Sequence, residues 1–355
     1  MNDRPMYGES PSSWNQNYEP AADRYTQASY RRAGRSGLLL PALTIGAWQN
    51  LGGMEPIDAV RSVYRRAFDM GLVHFDLANN YGRPPGSAEA SLGSLLSTDF
   101  RRRRDELTIS TKAGYDMWPG PYGSGGSRKY LTASLDQSLR RLNVDYVDIF
   151  YSHRFDSTTP LQETVDALSS AVRQGKAIYV GISSYPPEQA VKALQLLTDN
   201  GTPAVAYQGS YSLLNRWPEQ RLFEVLDDAG VGFLPFSPLN QGLLTEKYLR
   251  PKASTGRANE PGSSFPMESL SEATLAEVRA LGRLAQGLGR TLPELAIQWC
   301  LRPSVSTSVV AGIRSITQLE QLAHAAESRS LSDEEVELIV AACGDHNFDP
   351  WRPDV

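Results

Sequence analysis

Past residue 37 the chain falls into a repeating pattern: short apolar runs of four to seven residues alternate with longer stretches of helical periodicity. The runs predict eight strands: Ala42–Trp48, Val73–Leu77, Leu107–Lys112, Val147–Tyr151, Ala177–Ser183, Val205–Gln208, Val231–Phe236 and Ser308–Gly312. Between them lie stripes such as Ile57, Val60, Tyr64, Ala67 and Phe68, or Leu131, Leu135, Leu139 and Leu142, or Leu161, Val165, Leu168 and Val172. Each stripe would turn one helix face toward a sheet. Alternating strands and helices predict parallel pairing, and eight units fit a single-domain (β/α)8 TIM barrel of the α/β class. A doubly wound sheet is disfavoured, because no Gly-x-Gly-x-x-Gly follows an early strand and the glycines of Gly120–Gly126 are spaced differently. An N-terminal hairpin, a Gly-, Ser- and Pro-rich loop from Leu249 to Leu270 after strand seven, and an extra C-terminal helix over Ser332–Cys343 complete the expected fold.

Residues 1–37 contain no Leu, Ile, Val or Phe and can bury little apolar surface. We therefore divide the chain into a mobile extension, 1–28, and a barrel, 29–355. Across its 355 residues the chain is 41% hydrophobic and 21% charged, within the range of folded globular proteins. No run approaches the roughly 18 apolar residues of a membrane span. A net charge of -5 leaves no general basic footprint for nucleic acid or anionic lipid. Two cysteines and no apolar leader predict a cytoplasmic protein without a disulfide framework.

Barrels carry function at the C-terminal ends of their strands, which directs attention to the polar residues there. Strand two ends in His74-Phe-Asp-Leu-Ala-Asn-Asn-Tyr81, strand three in Ser110-Thr-Lys112 and strand four in Phe150-Tyr-Ser-His153. Adjacent strands lie about 4.8 Å apart, so Asp76, Tyr81, Lys112 and His153 can converge. A phenol with an ordinary pKa near 10 needs a nearby cation to become a useful acid, and Lys112 could supply it with Asp76 as counter-ion. A neutral His153 could hold a carbonyl oxygen beside the Tyr81 hydroxyl. These residue types suit reduction of a carbonyl. Any one of them alone has an ordinary structural reading, and it is the four together that point to catalysis.

The order Asp, Tyr five residues later, Lys, then His resembles the catalytic tetrad of the aldo-keto reductases. Gly46-Ala-Trp48, Gly181-Ile-Ser-Ser184, Tyr207-Gln208, Phe236-Ser-Pro-Leu239 and Gly242-Leu-Leu-Thr-Glu-Lys247 agree with it. The resemblance is nearest to the subgroup of L-glyceraldehyde 3-phosphate (methylglyoxal) reductases and potassium-channel β subunits. The stretch Lys112 to Arg128 favours the reductase branch, as does His153, since the channel branch carries another polar residue there. The resemblance implies NADPH stacked on Phe236, with its carboxamide held by Ser183 and Gln208 and with Trp48, Asp76 and Ser184 nearby. It places the pyrophosphate against Ser237, Pro238, Leu239, Gly242 and Lys247 under Arg257, and the adenosine end against Gly312, Arg314, Gln318 and Gln321. Arg314 favours a 2′-phosphate and hence NADPH over NADH. Gln321-Leu322 replaces the usual Glu-Asn pair, and Gln318 stands where many relatives carry Arg.

For substrate, Trp48, Tyr81, Trp118, His153 and Arg154 are the candidates, with a small aldehyde as ligand. Arg154 and Arg128 could meet a phosphate, although an ion pair is the plainer reading of each. Arg101–Arg104 reads as a solvated loop, Cys300 as core, and His324 and His346 as uninvolved in catalysis. Metal chemistry is disfavoured, since no His-x-His or His-Glu-x-x-His occurs. The resemblance allows a homotetramer or octamer. The alternative to a reductase is an NADPH-binding, redox-sensing regulatory subunit of a channel or other partner.

Overall fold

The computed structural model describes residues 18–245 and 271–343. Two short strands, β1 (Tyr30–Arg32) and β2 (Leu39–Pro41), pair as an antiparallel hairpin. Eight parallel strands then close into a barrel: β3 (Leu43–Gly46), β4 (His74–Asp76), β5 (Thr108–Ala113), β6 (Val147–Ser152), β7 (Ala177–Ser183), β8 (Ala206–Ser210), β9 (Gly232–Phe236) and β10 (Val309–Gly312). β10 pairs with β3 through Val309↔Leu43 to Gly312↔Gly46, which completes the ring. All eight predicted strands are present, with ends displaced by at most two residues.

The described helices are α1 (Ile57–Asp69), α2 (Ser87–Ser97), α3 (Arg128–Leu142), α4 (Leu161–Arg173), α5 (Pro187–Asp199), α6 (Leu222–Ala229), α7 (Glu272–Gly287), α8 (Leu292–Leu301), α9 (Ile316–Glu327) and α10 (Asp333–Ala342). Their apolar stripes do what the periodicity predicts: Val60, Tyr64, Ala67 and Phe68 of α1 and Leu131, Leu135 and Leu142 of α3 are buried against the outer faces of the strands. α10 is the extra C-terminal helix, started by a capping box between Ser332 and Glu335.

Inside the ring lies a second, separate core. Ile149, Tyr151, Val205, Ala206, Leu234 and Val310 fill the barrel, and Ala33 and Leu40 of the hairpin segment close it from below. Tyr151 takes up much of this space, and Gly181 on the neighbouring β7 is a glycine because any side chain there would meet the Tyr151 ring.

The extension assigned to residues 1–28 needs correction over its described part. The Tyr18 hydroxyl donates to Asp69 Oδ1 at 2.8 Å, its ring meets Phe100 edge-on, and Arg24 pairs with Glu106. Polar and aromatic contacts hold residues 18–28 on the barrel where aliphatic side chains are lacking, which a reading by apolar content alone overlooks. Residues 1–17, the loop expected over Leu249–Leu270, and Lys247, Arg257 and His346 lie outside the described residues.

Candidate active site

β4 points His74 and Asp76 into the barrel and Phe75 outward onto Tyr64 of α1. In register beside it, β5 presents Ser110 opposite Asp76, and Lys112 two residues further on the same face. The result is a fully buried ion pair, Lys112 Nζ to Asp76 Oδ2 at 2.6 Å, with Lys112 also donating to the Leu77 carbonyl at 2.7 Å. Ser110 Oγ donates to Asp76 Oδ1 at 2.6 Å, and Gln208 Nε2 reaches the same oxygen at 3.1 Å. Each half of this buried pair is therefore hydrogen-bonded, as burial of charge requires.

Tyr81 stands in the loop after β4, fixed by its own backbone. Its carbonyl accepts from Gly86 and Ala88 at the start of α2, and the Gly82 amide donates to the Trp48 carbonyl. Its ring centroid lies 5.0 Å from Lys112 Nζ and 5.7 Å from the His153 ring. Burial first, then the Asp76 charge and Tyr115, push the phenol well above its ordinary range. This departs from the expectation of a lysine-lowered phenol: at rest the site favours the protonated form. The Lys112 ammonium stands over the ring of the same phenol.

His153 is held by its amide on the Ala113 carbonyl and by Tyr115, whose ring stands edge-on at 4.7 Å. Burial, Lys112 and Arg154 push its imidazole well below the usual histidine range, and its buried Nδ1 has no hydrogen-bond partner among the described residues. A neutral imidazole beside a protonated phenol is suited to grip a carbonyl oxygen.

These groups form one end of a cavity of about 860 Å³. Trp48, Ser183, Ser184, Gln208, Phe236, Ser237, Pro238, Leu239, Gly242, Gly312, Arg314, Gln318 and Gln321 line the rest, so most of the expected cofactor positions share one space with Asp76, Tyr81 and His153. Ser184 and Ser237 turn the chain out of β7 and β9 with φ of 53° and 56°, a strained backbone for non-glycine residues that recurs at functional sites. A dinucleotide fits this lining. Gln208 spends its amide NH₂ on Asp76, leaving its carbonyl oxygen to accept from a carboxamide. Phe236 offers a half-buried ring, and Arg314 with the α9 N-terminus offers cationic and amide groups for phosphate. The Gln318 side chain is turned back onto the Arg314 amide at 2.9 Å, and Arg314 Nε donates to Asn50 at 3.2 Å.

Two substrate candidates stand apart from the lining. Trp118 packs on Tyr130 of α3 at 5.1 Å between rings, a packing role in place of the pocket role expected. Arg154 lies behind the wall, its guanidinium 5.0 Å from the Tyr115 ring and its Nε on the Gly114 carbonyl at 3.0 Å. Arg128 pairs with Asp166 on the outer surface, the structural role anticipated. Sequence reasoning passed over Asn50, Asn80 and Tyr115, which line the cavity from loops after β3, β4 and β5. Their position after barrel strands was the available signal. His324 borders the far end, 3.6 Å from Glu294. Among the described residues no group of three His, Cys, Asp or Glu could hold a metal ion, and no helix is long and apolar enough to cross a membrane.

Residues 42–343 match the aldo/keto reductase family. The chain is 49% identical over 334 residues to L-glyceraldehyde 3-phosphate reductase of Escherichia coli (strain K12), covering 93% of this chain and 96% of that protein. It is also 35% identical over 298 residues to a protein of Oryza sativa subsp. japonica named a probable voltage-gated potassium channel subunit beta, covering 82% and 88% respectively. An Arabidopsis thaliana protein of the same name is 34% identical over 300 residues, covering 82% of this chain and 89% of that one. With a closed eight-stranded parallel barrel and a family match over most of its length, this chain belongs to the aldo/keto reductase family of oxidoreductases.

Proposed function

We propose that this protein reduces small aldehydes to alcohols with NADPH, taking phosphorylated three-carbon aldehydes such as glyceraldehyde 3-phosphate in preference and methylglyoxal among the others. The observation that carries the reading is the convergence of Asp76, Tyr81 and His153 at one end of a cavity that also contains Phe236 and Arg314, with Lys112 buried behind them on Asp76. When bound, the reduced nicotinamide supplies a hydride. The chain's own residues do the rest. His153, neutral, orients the carbonyl oxygen. Tyr81 donates its proton to that oxygen, and Lys112, steadied by Asp76, stabilises the phenolate that remains. Arg154, next to His153 in the chain, is the candidate for a substrate phosphate, which would have to pass the Tyr115 ring to reach it. Arg314 beside the α9 N-terminus underlies the preference for the 2′-phosphate of NADPH. A cytoplasmic homotetramer or octamer belongs to the same reading.

The test is oxidation of NADPH and, separately, NADH by the purified protein, with glyceraldehyde 3-phosphate, unphosphorylated glyceraldehyde and methylglyoxal as substrates. Tyr81→Phe is expected to lower kcat by about 10²–10⁴-fold while NADPH binding, followed by protein fluorescence, is retained. Full turnover by Tyr81→Phe would remove the proposed acid. No preference for the phosphorylated aldehyde would remove Arg154 from the substrate site. Tight NADPH binding without turnover of any aldehyde would favour a regulatory subunit instead.

A further inference from the structure

Below the site floor, four buried polar side chains cross the barrel interior in a line. Ser308 Oγ lies 2.6 Å from Thr44 Oγ1, Thr44 Oγ1 2.7 Å from His74 Nδ1, His74 Nε2 3.0 Å from Ser110 Oγ, and Ser110 Oγ 2.6 Å from Asp76 Oδ1. They come from the segment entering β10, from β3, from β4 and from β5, and all four are fully buried.

The direction of this line follows from its last member. An ionised carboxylate only accepts, so Ser110 spends its single proton on Asp76 and can only accept from His74. His74 must then carry its proton on Nε2. With the imidazole pushed down to about 4, mainly by burial, Nδ1 is a bare acceptor at neutral pH. Thr44 therefore donates to Nδ1, and Ser308 in turn donates to Thr44. Every proton in the row points toward Asp76. Aligned hydrogen bonds of this kind polarise one another, most effectively where water is excluded.

We propose that Ser308, Thr44, His74 and Ser110 form a one-way hydrogen-bond relay that fixes the position of the Asp76 carboxylate against Lys112, making Ser110 and His74 positioning residues for proton donation by Tyr81. The proposal rests on the reductase reading above for its effect on turnover, but the relay itself does not. The titratable groups facing it are Lys112 on β5, which acts on both His74 and Asp76, and Tyr151 on β6, Tyr64 of α1 and Tyr81 after β4, each within the field of Asp76. Among them Lys112 is the cation paired with Asp76, through Oδ2, and the relay ends in a single donor, Ser110, on Oδ1. Without Ser110, Asp76 keeps Gln208 and Lys112 but loses its shortest hydroxyl contact. The carboxylate can then shift, and Lys112 with it, relative to the Tyr81 ring.

The experiment uses the full chain labelled with ¹⁵N-histidine, with His74→Asn to assign its signals, together with Ser110→Ala and Thr44→Val. In the unmutated protein His74 is expected to show a protonated Nε2 and a bare Nδ1, unchanged between pH 5.5 and 8.5. Thr44→Val, close in volume, is expected to release this fixed tautomer. Ser110→Ala is expected to lower kcat about tenfold, with the aldehyde KM and the NADPH Kd each within about twofold. A proton on Nδ1, or titration of His74 near the ordinary histidine value, would overturn the relay. Unchanged turnover in Ser110→Ala, or equal losses in kcat, KM and Kd, would overturn the positioning role. If no aldehyde is turned over, the nitrogen signals still decide the relay, so the two failures are distinguishable.

Discussion

His74 is a titratable group sealed inside the barrel, and its stability consequence has a definite sign. Its folded value, about 4, lies below the ordinary 6.5, because a charged imidazole there would lose its water without gaining a carboxylate of its own. The unfolded chain therefore binds a proton that the folded chain refuses. Stability is fully present above pH 6.5 and is lost as pH falls toward 4, by about 3 kcal/mol for this group. The buried His153 is displaced in the same direction and adds to the effect. The urea midpoint is expected to fall between pH 7 and 4.5, and the fall should be shallower in His74→Asn. An equal slope in the two proteins would show that His74 does not titrate on unfolding. At this scale the sequence was partly legible. Asp76, Lys112 and His153 stand out as charged or polar residues ending apolar runs. Ser110, Thr44 and Ser308 do not, because a hydroxyl within a strand is ordinary β-sheet composition and only the closed ring brings these three to one imidazole.

Among the elements, the strands were the most legible part of the chain, since they are short, largely buried segments bounded by amphipathic stretches, even where a polar residue such as Ser110 or Asp148 interrupts the apolar run. Contacts between helices were not. α2 and α3 cross closely at Gly93, whose position leaves no room for a side chain beneath the Arg141 carbonyl. The same crossing holds Glu89, fully buried, on Arg141 Nε at 2.7 Å and on Thr111 Oγ1 at 2.5 Å. Nothing in the local pattern of Ser87–Ser97 announces this, because which residue faces α3 is set by the packing of two helices far apart in sequence. Gly93→Ala is expected to force the helices apart and to cost about 1–3 kcal/mol, read as a lower denaturant midpoint. Wild-type stability in that variant would mean that α2 and α3 can separate freely there. The outward face of β5 carries Thr111 into this contact while its inward face carries Ser110 and Lys112, so one strand serves packing and chemistry with alternate residues.

Seen whole, the barrel separates these two tasks along its axis. The upper mouth holds the cavity, with strained turns at Ser184 and Ser237. The lower mouth is stoppered by the hairpin, where Ala33 and Leu40 face Ile149, Tyr151 and Leu234. Arg31 fastens this stopper with bonds to the Leu301 and Ser306 carbonyls at 2.9 and 3.0 Å, and the Arg35 amide adds one to Gly230 at 2.8 Å. Conservative damage at one end should therefore leave the other largely intact. Leu40→Ala removes a wholly buried side chain from the floor and is expected to cost about 2–5 kcal/mol. Its kcat/KM at a temperature where it stays folded is expected to remain within about twofold of wild type, because the loops after the strands, not the floor, position Tyr81 and His153. Tyr81→Phe should show the converse, with an unchanged midpoint and lost turnover. If Leu40→Ala also lost its activity, Tyr151 would be the route to examine. Its ring shares the interior with Leu40 below and lies 5.6 Å from Lys112 Nζ above, so a floor that sags could reach the lysine through it.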